Sequence, residues 1–126
     1  MGSIAEIVLD CKRAAPLAKF WSVALDWPIR PYDDEEVARL AGLGFTPETD
    51  PGVAIDAPDG SMTFFVQEVP EPKTGKNRMH VDIRVRGSAH FDQLLAMGAR
   101  VLAEYESWFT LADPEGNEFC VKKPLG

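Results

Sequence analysis

Apolar and polar residues alternate over AEIVLDC, residues 5–11, the period-two pattern of a half-buried strand. The period then lengthens. Leu17, Phe20, Trp21, Ala24 and Leu25 fall at i, i+3, i+4, i+7 and i+8, which draws one apolar stripe along a helix over about 15–25. Strands are predicted at 52–56 and 62–69. A second alternating run, MHVDIRV from Met79, precedes a helix over about 88–97, where Phe91, Leu94 and Leu95 make the stripe, Ser88 is the expected N-cap and Gly98 the expected stop. Strands at 100–104, 108–112 and 118–122 follow.

The pattern is a repeat. DAPDG at 56–60 followed by an apolar run echoes ADPEG at 112–116 followed by NEFCV, and each half opens with an alternating strand and a helix. The order predicted is β-α-β-β-β, twice. The offset between halves is 74 residues from Glu6 to His80 but 56 from Gly60 to Gly116, so the first half carries 18 extra residues. They lie in an excursion over about 28–51, where Pro28, Pro31, Pro47 and Pro51 flank a short helix expected over 34–43 and the whole reads as a lid. A small sheet with one helix leaves its other face bare, so each module needs a second module or another chain against it. The expectation is one α+β domain over 1–126, with module one at about 4–70, a linker at 70–78 and module two at 79–124.

Composition narrows the function classes. At 126 residues, 45% hydrophobic and 26% charged, the chain suits one globular core. No stretch approaches the roughly 20 apolar residues of a membrane span, and the N-terminus lacks a secretory pattern, so a cytoplasmic protein is expected. Thirteen basic against twenty acidic residues give a net charge of −7, which argues against nucleic acid and anionic membrane surfaces as partners. The basic run KTGKNR, 73–78, reads as a solvated connector, with an anion-binding edge as the alternative. Cys11 and Cys120 are far apart, outside any CxxC spacing, and read as buried thiols.

The strongest polar signal is the row His80, Asp82, Arg84, which shares one strand face while Val81, Ile83 and Val85 share the other. It suits a ligand site or a general base at His80, or a histidine simply held by Asp82 or Arg84. His90, beside Asp92 and Gln93 on the second helix, reads as solvated. Phe64, Phe65, Trp108 and Phe109 alternate along their strands, so half of them face inward, as the wall for a small planar ligand or as filled core.

Paired βαβββ modules, the Phe20-Trp21 pair in the first helix, the PEPKxGKNRxHxD junction over 70–82 and DPEGNEFCV over 113–121 resemble the glyoxalase/bleomycin-resistance (vicinal oxygen chelate) superfamily, in its glyoxalase-like branch. The likeness covers nearly the whole chain except the excursion. It implies a U-shaped eight-stranded mixed sheet with helices outside and a ligand cavity in the concavity. It also implies a metal at four inward positions in those members that use one. By strand register these fall at Glu6, His80, Cys120 and Phe65. Phenylalanine cannot ligate, and the family's carboxylate is missing at both last-strand positions. Gln67 and Glu118, two residues away on the same faces, are the replacements, so the implied set for one Zn, Ni or Mn ion, if a metal is used at all, is Glu6, Gln67, His80 and Glu118. Asp10 offers a second acid near Glu6. His80 and Glu118 are then the expected catalytic pair, with Phe65, Asp82, Arg84, Trp108 and Cys120 lining the ligand site. The resemblance implies a homodimeric glyoxalase-like protein that binds a small molecule. It is either a lyase or isomerase, metal-dependent or not, or a non-catalytic protein that sequesters an antibiotic-like guest.

Overall fold

In the computed structural model, which describes residues 2–126, the patterned segments fold as β1 (Glu6–Cys11), α1 (Ala14–Leu25), α2 (Asp34–Gly42), β2 (Gly52–Asp56), β3 (Thr63–Glu68), β4 (Asp82–Ile83), α3 (Ser88–Ala96), β5 (Arg100–Glu104), β6 (Trp108–Ala112) and β7 (Glu118–Lys122). The fold is α+β. Two compact units form: residues up to Ser22 with Asp26–Pro72, and Val23–Leu25 with Lys73–Gly126.

In the first unit β1 runs parallel to β3, and β3 antiparallel to β2, in the order β1-β3-β2. The stripe of α1 packs on this sheet: Leu17, Phe20, Trp21 and Ala24 are at most 2% exposed, and the Trp21 ring lies 5.1 Å from that of Phe64. Removing a side chain such as Leu17 or Phe20 from water contributes about 1.5–3 kcal/mol, and the Ala24 methyl less. The Ala14 N–H at the start of α1 donates to Glu68 Oε2 at 3.0 Å, satisfying a donor that the helix itself leaves open. In the excursion Asp33 accepts from the Glu36 N–H and caps α2, Asp34, Glu35 and Glu36 lie at its positive end, and buried Leu40 pins it down.

The sequence pattern implies eight strands, and the structure has seven named ones among the described residues, in sheets of three and four. The strand absent from the first unit survives as a single bridge, Ile29 to Ile55, where Arg30 N–H donates to the Ala54 carbonyl and Asp56 N–H to that of Pro28. Pro28 and Pro31 bracket it without an N–H of their own, so the ladder cannot extend.

The second unit has the order β4-β7-β6-β5, with only β4 and β7 parallel. Of the long alternating run from Met79, two residues pair as strand, although Cys120 N–H also reaches the Val81 carbonyl. Phe119, Leu111 and Val121 are fully buried, and the Phe91 ring of α3 lies 4.8 Å from Phe109. The helix N-cap is Gly87 rather than Ser88, and it makes no side-chain cap; Gly98, at φ +110°, ends the helix as expected. Both repeated turns place their glycine at positive φ, Gly60 at +74° and Gly116 at +88°, which explains why DG and EG recur. His90 is a correction. It is 5% exposed, its Nδ1 accepts from the Arg86 N–H at 3.1 Å, and its Nε2 therefore donates to the Val23 carbonyl at 2.7 Å. Among the described residues no helix is long and apolar enough to cross a membrane.

Candidate functional site

Strand alternation builds the site on one face of the second unit's sheet. In β7, Phe119 and Val121 point to α3 and the core, so Glu118, Cys120 and Lys122 take the opposite face. In β6 the same division sends Trp108 and Thr110 with them. Cross-strand register lines up Asp82, Cys120 and Thr110 in one row, and Lys122 with Trp108 in the next. The result is a pocket of about 360 Å³ whose floor is His80, Asp82 and Cys120 and whose wall is Trp108 with Tyr105. Those two rings stack, 4.6 Å between centroids at 25°.

The floor brings three metal-type donors together. One atom each of His80, Asp82 and Cys120 lies within 4.8 Å of the others, with His80 Nε2 at 3.2 Å from Asp82 Oδ1. Cys120 is buried and its Sγ lies 3.6 Å from Thr110 Oγ1, which in turn accepts from Trp108 Nε1 at 3.3 Å. Lys122 Nζ stands 3.4 Å from the second oxygen of Asp82. The nitrogen, oxygen and sulfur donors, with a pocket on the open side, are of the kind that holds a divalent ion through three protein ligands.

Glu118 lines the same pocket and also reaches the linker. Its Oε1 pairs with Lys73 Nζ at 2.8 Å and its Oε2 accepts from the Asn77 N–H at 3.1 Å. The Lys73 hydrogen bond, followed by that from Asn77, holds the Glu118 carboxyl below the usual carboxylate range. The connector at 73–78 is exposed except at Asn77, in keeping with the solvated run the sequence suggested, and is tied to Glu118 at two points. Glu6 and Gln67 belong to the first unit, on β1 and β3. Glu6 pairs in register with Thr63, and Gln67 donates to Asp10 Oδ1 at 2.9 Å. Phe65 also lies in the first unit, on the wall of a different pocket, and Arg84 is exposed beyond the 360 Å³ lining. Lys76, Tyr105, Thr110 and Lys122 join the site without having been singled out. For Thr110 and Lys122 a signal existed, since each sits two residues from a selected one on the same strand; Lys76 and Tyr105 arrive from loops.

The geometry can be set beside known proteins. No curated protein matches the sequence. Solved structures share the fold at low identity. A glyoxalase family protein from Bacillus cereus is 16% identical with a TM-score of 0.66, covering 100% of this chain and 96% of that one. A glyoxalase/bleomycin resistance protein/dioxygenase family enzyme from Burkholderia phytofirmans is 14% identical with a TM-score of 0.64, covering 95% and 97%. A mutant of the fosfomycin resistance protein FosX from Listeria monocytogenes, complexed with Mn(II) and a dihydroxypropylphosphonic acid, is 10% identical with a TM-score of 0.63, covering 97% and 92%. Residues 6–122 match the model of the glyoxalase-like domain, so the chain belongs to that family.

Proposed function

We propose that the chain binds a small planar molecule in the pocket of its second unit, over a divalent-ion site made by His80, Asp82 and Cys120, and acts on it as a glyoxalase-like lyase or isomerase. The observation that carries this is the convergence of the three donor atoms within 4.8 Å on the floor of that pocket. A bound ion there would supply Lewis acidity toward adjacent oxygens of the substrate. The chain's own groups divide the remaining work. Asp82 orients the His80 imidazole, Trp108 and Tyr105 hold a flat ligand body, and Lys122 offers a positive charge beside any oxygen on which charge develops. Glu118, bound to Lys73 and Asn77, positions the segment leading to His80. In this reading the two units are modules of one domain of a homodimeric, cytoplasmic protein.

A second reading, sequestration without chemistry, is favoured by Lys122, which already neutralises part of Asp82, and by the engagement of Glu118. Elemental mass spectrometry on protein purified without chelator, then offered Zn²⁺, Ni²⁺ or Mn²⁺, separates the two. A stoichiometric ion lost in His80→Ala and Asp82→Ala, with circular dichroism unchanged, is the expected result, and turnover of hemithioacetals or catechols would follow from it. Absence of any retained ion after loading would refute the metal site and leave sequestration. Sedimentation over a range of concentrations tests the dimer.

A further inference from the structure

A second pocket, of about 620 Å³, lies wholly within the first unit, between the excursion and the β2–β3 face. Asp50 stands where the excursion rejoins the sheet and is only 4% exposed. Its Oδ2 accepts from the Tyr32 hydroxyl at 2.7 Å and its Oδ1 from the Gly52 N–H at 3.0 Å. A carboxylate offers about four acceptor positions, so capacity remains. Among the described residues no Lys, Arg or His nitrogen pairs with it. Arg39 on the same lining acts on Asp50 only through space, and a buried carboxylate with no directly paired cation is costly, a cost that a positive guest in contact with it lowers.

The pocket's two cations are already matched. Arg30 is bidentate on Asp56, both distances 2.8 Å, and Arg39 holds both oxygens of Glu36 at 3.0 and 2.6 Å. Glu35 on the rim joins Asp50 in lining the cavity. Two rings complete it. Burial, then the bond to Asp50, pushes the Tyr32 phenol well above its ordinary range, so Tyr32 stays a neutral donor with an aromatic face. The Phe65 ring lies over Gly52, where a Cβ would come within 2.7 Å of its Cζ, so that glycine lets the ring settle against the backbone as part of the wall.

We propose that this pocket binds an organic cation, an alkyl- or arylammonium or guanidinium group with an apolar body, its charge on Asp50 and Glu35 and its body against Tyr32 and Phe65. The site is independent of the metal reading, since every residue in it lies in the other unit. The volume and the rings favour an organic guest over a bare ion.

The test uses benzyltrimethylammonium as probe, with benzyl alcohol and benzoate as neutral and anionic controls, followed by backbone amide chemical shifts of the full chain. Saturable shifts with the cation, confined to residues 30–54 and 65, are expected. Asp50→Asn should weaken binding about tenfold, the loss of one charge-assisted contact. Glu35→Gln, an exposed change that leaves Asp50 and the fold in place, should weaken it about two- to fivefold and flatten its salt dependence. His80→Ala should leave binding of the organic cation unchanged. Equal binding of benzyl alcohol, unchanged affinity in Glu35→Gln and any folded Asp50→Asn, or shifts outside the first unit would overturn the proposal.

Discussion

Replacing Asp113 with alanine should cost more stability than any other single polar change in the second unit. Asp113 is 1% exposed, and its carboxylate accepts from the Glu115 N–H at 2.8 Å, the Asn117 N–H at 2.9 Å and Asn117 Nδ2 at 2.9 Å. Hydrogen bonds to a charged acceptor are each worth about 1.5–3 kcal/mol net, and a donor stranded in the interior carries its full desolvation penalty. Water can reach the half-buried Glu115, and the three bonds are not additive, so the expected loss is about 3–5 kcal/mol. That is a large share of the roughly 5–15 kcal/mol that holds a domain of this size together. Urea unfolding followed by circular dichroism should show the midpoint falling by about 1.5–2.5 M with the slope unchanged, for a slope near 2 kcal/mol/M. Asp113→Asn keeps an oxygen for both backbone donors but turns its amide toward that of Asn117, and should lose about 1–2 kcal/mol. A loss below about 1 kcal/mol in the alanine variant would refute the idea that this carboxylate, rather than Gly116 and Pro114, builds the turn.

Glu118→Gln tests the linker clamp through pH. Because Lys73 depresses the folded-state acidity of Glu118, its stabilisation is present above the unfolded value, near 4.5, and is lost as pH falls through the lower folded value. The wild type should therefore exceed the variant by about 1 kcal/mol at neutral pH and converge with it once pH has fallen below the lowered folded-state value, and parallel profiles would count against the clamp. His90→Phe strands the Arg86 N–H and the Val23 carbonyl, and should cost about 2–4 kcal/mol in thermal unfolding, whereas a neutral outcome would mean that water already serves both groups. Trp108→Ala removes the stacked partner of Tyr105, and is expected to lower stability by about 1–2 kcal/mol while abolishing binding of planar ligands, with binding retained as the refuting result.

Period-two and period-3.6 patterning located the secondary-structure elements because local sterics and one buried face determine them. The division of Phe64 and Phe109 toward the helices from Phe65 and Trp108 toward pockets follows from alternation alone. The reduction of one strand to the Ile29 bridge was readable in Pro28 and Pro31 only once the neighbouring strand was known. His90 was misread because its partners, Arg86 N–H and Val23 carbonyl, are backbone groups with no residue signature, one of them 67 positions away. The grouping of His80 and Asp82 with Cys120 was expected from the strand register of the resemblance, whereas the pairing of Glu118 with Lys73 depends on how the linker lies against β7, which composition does not supply.

The single bridge at Ile29 has an evolutionary corollary. Where one copy of a duplicated unit keeps its complete hairpin ladder, the other has exchanged an edge strand for a segment anchored by Leu40 and by a pair of main-chain bonds beside β2. Substitutions and length changes within residues 31–49 therefore leave every hydrogen bond between named strands untouched. The excursion can therefore change without disturbing a strand ladder, and chimeras that exchange this stretch should fold while differing in what the first unit's pocket captures.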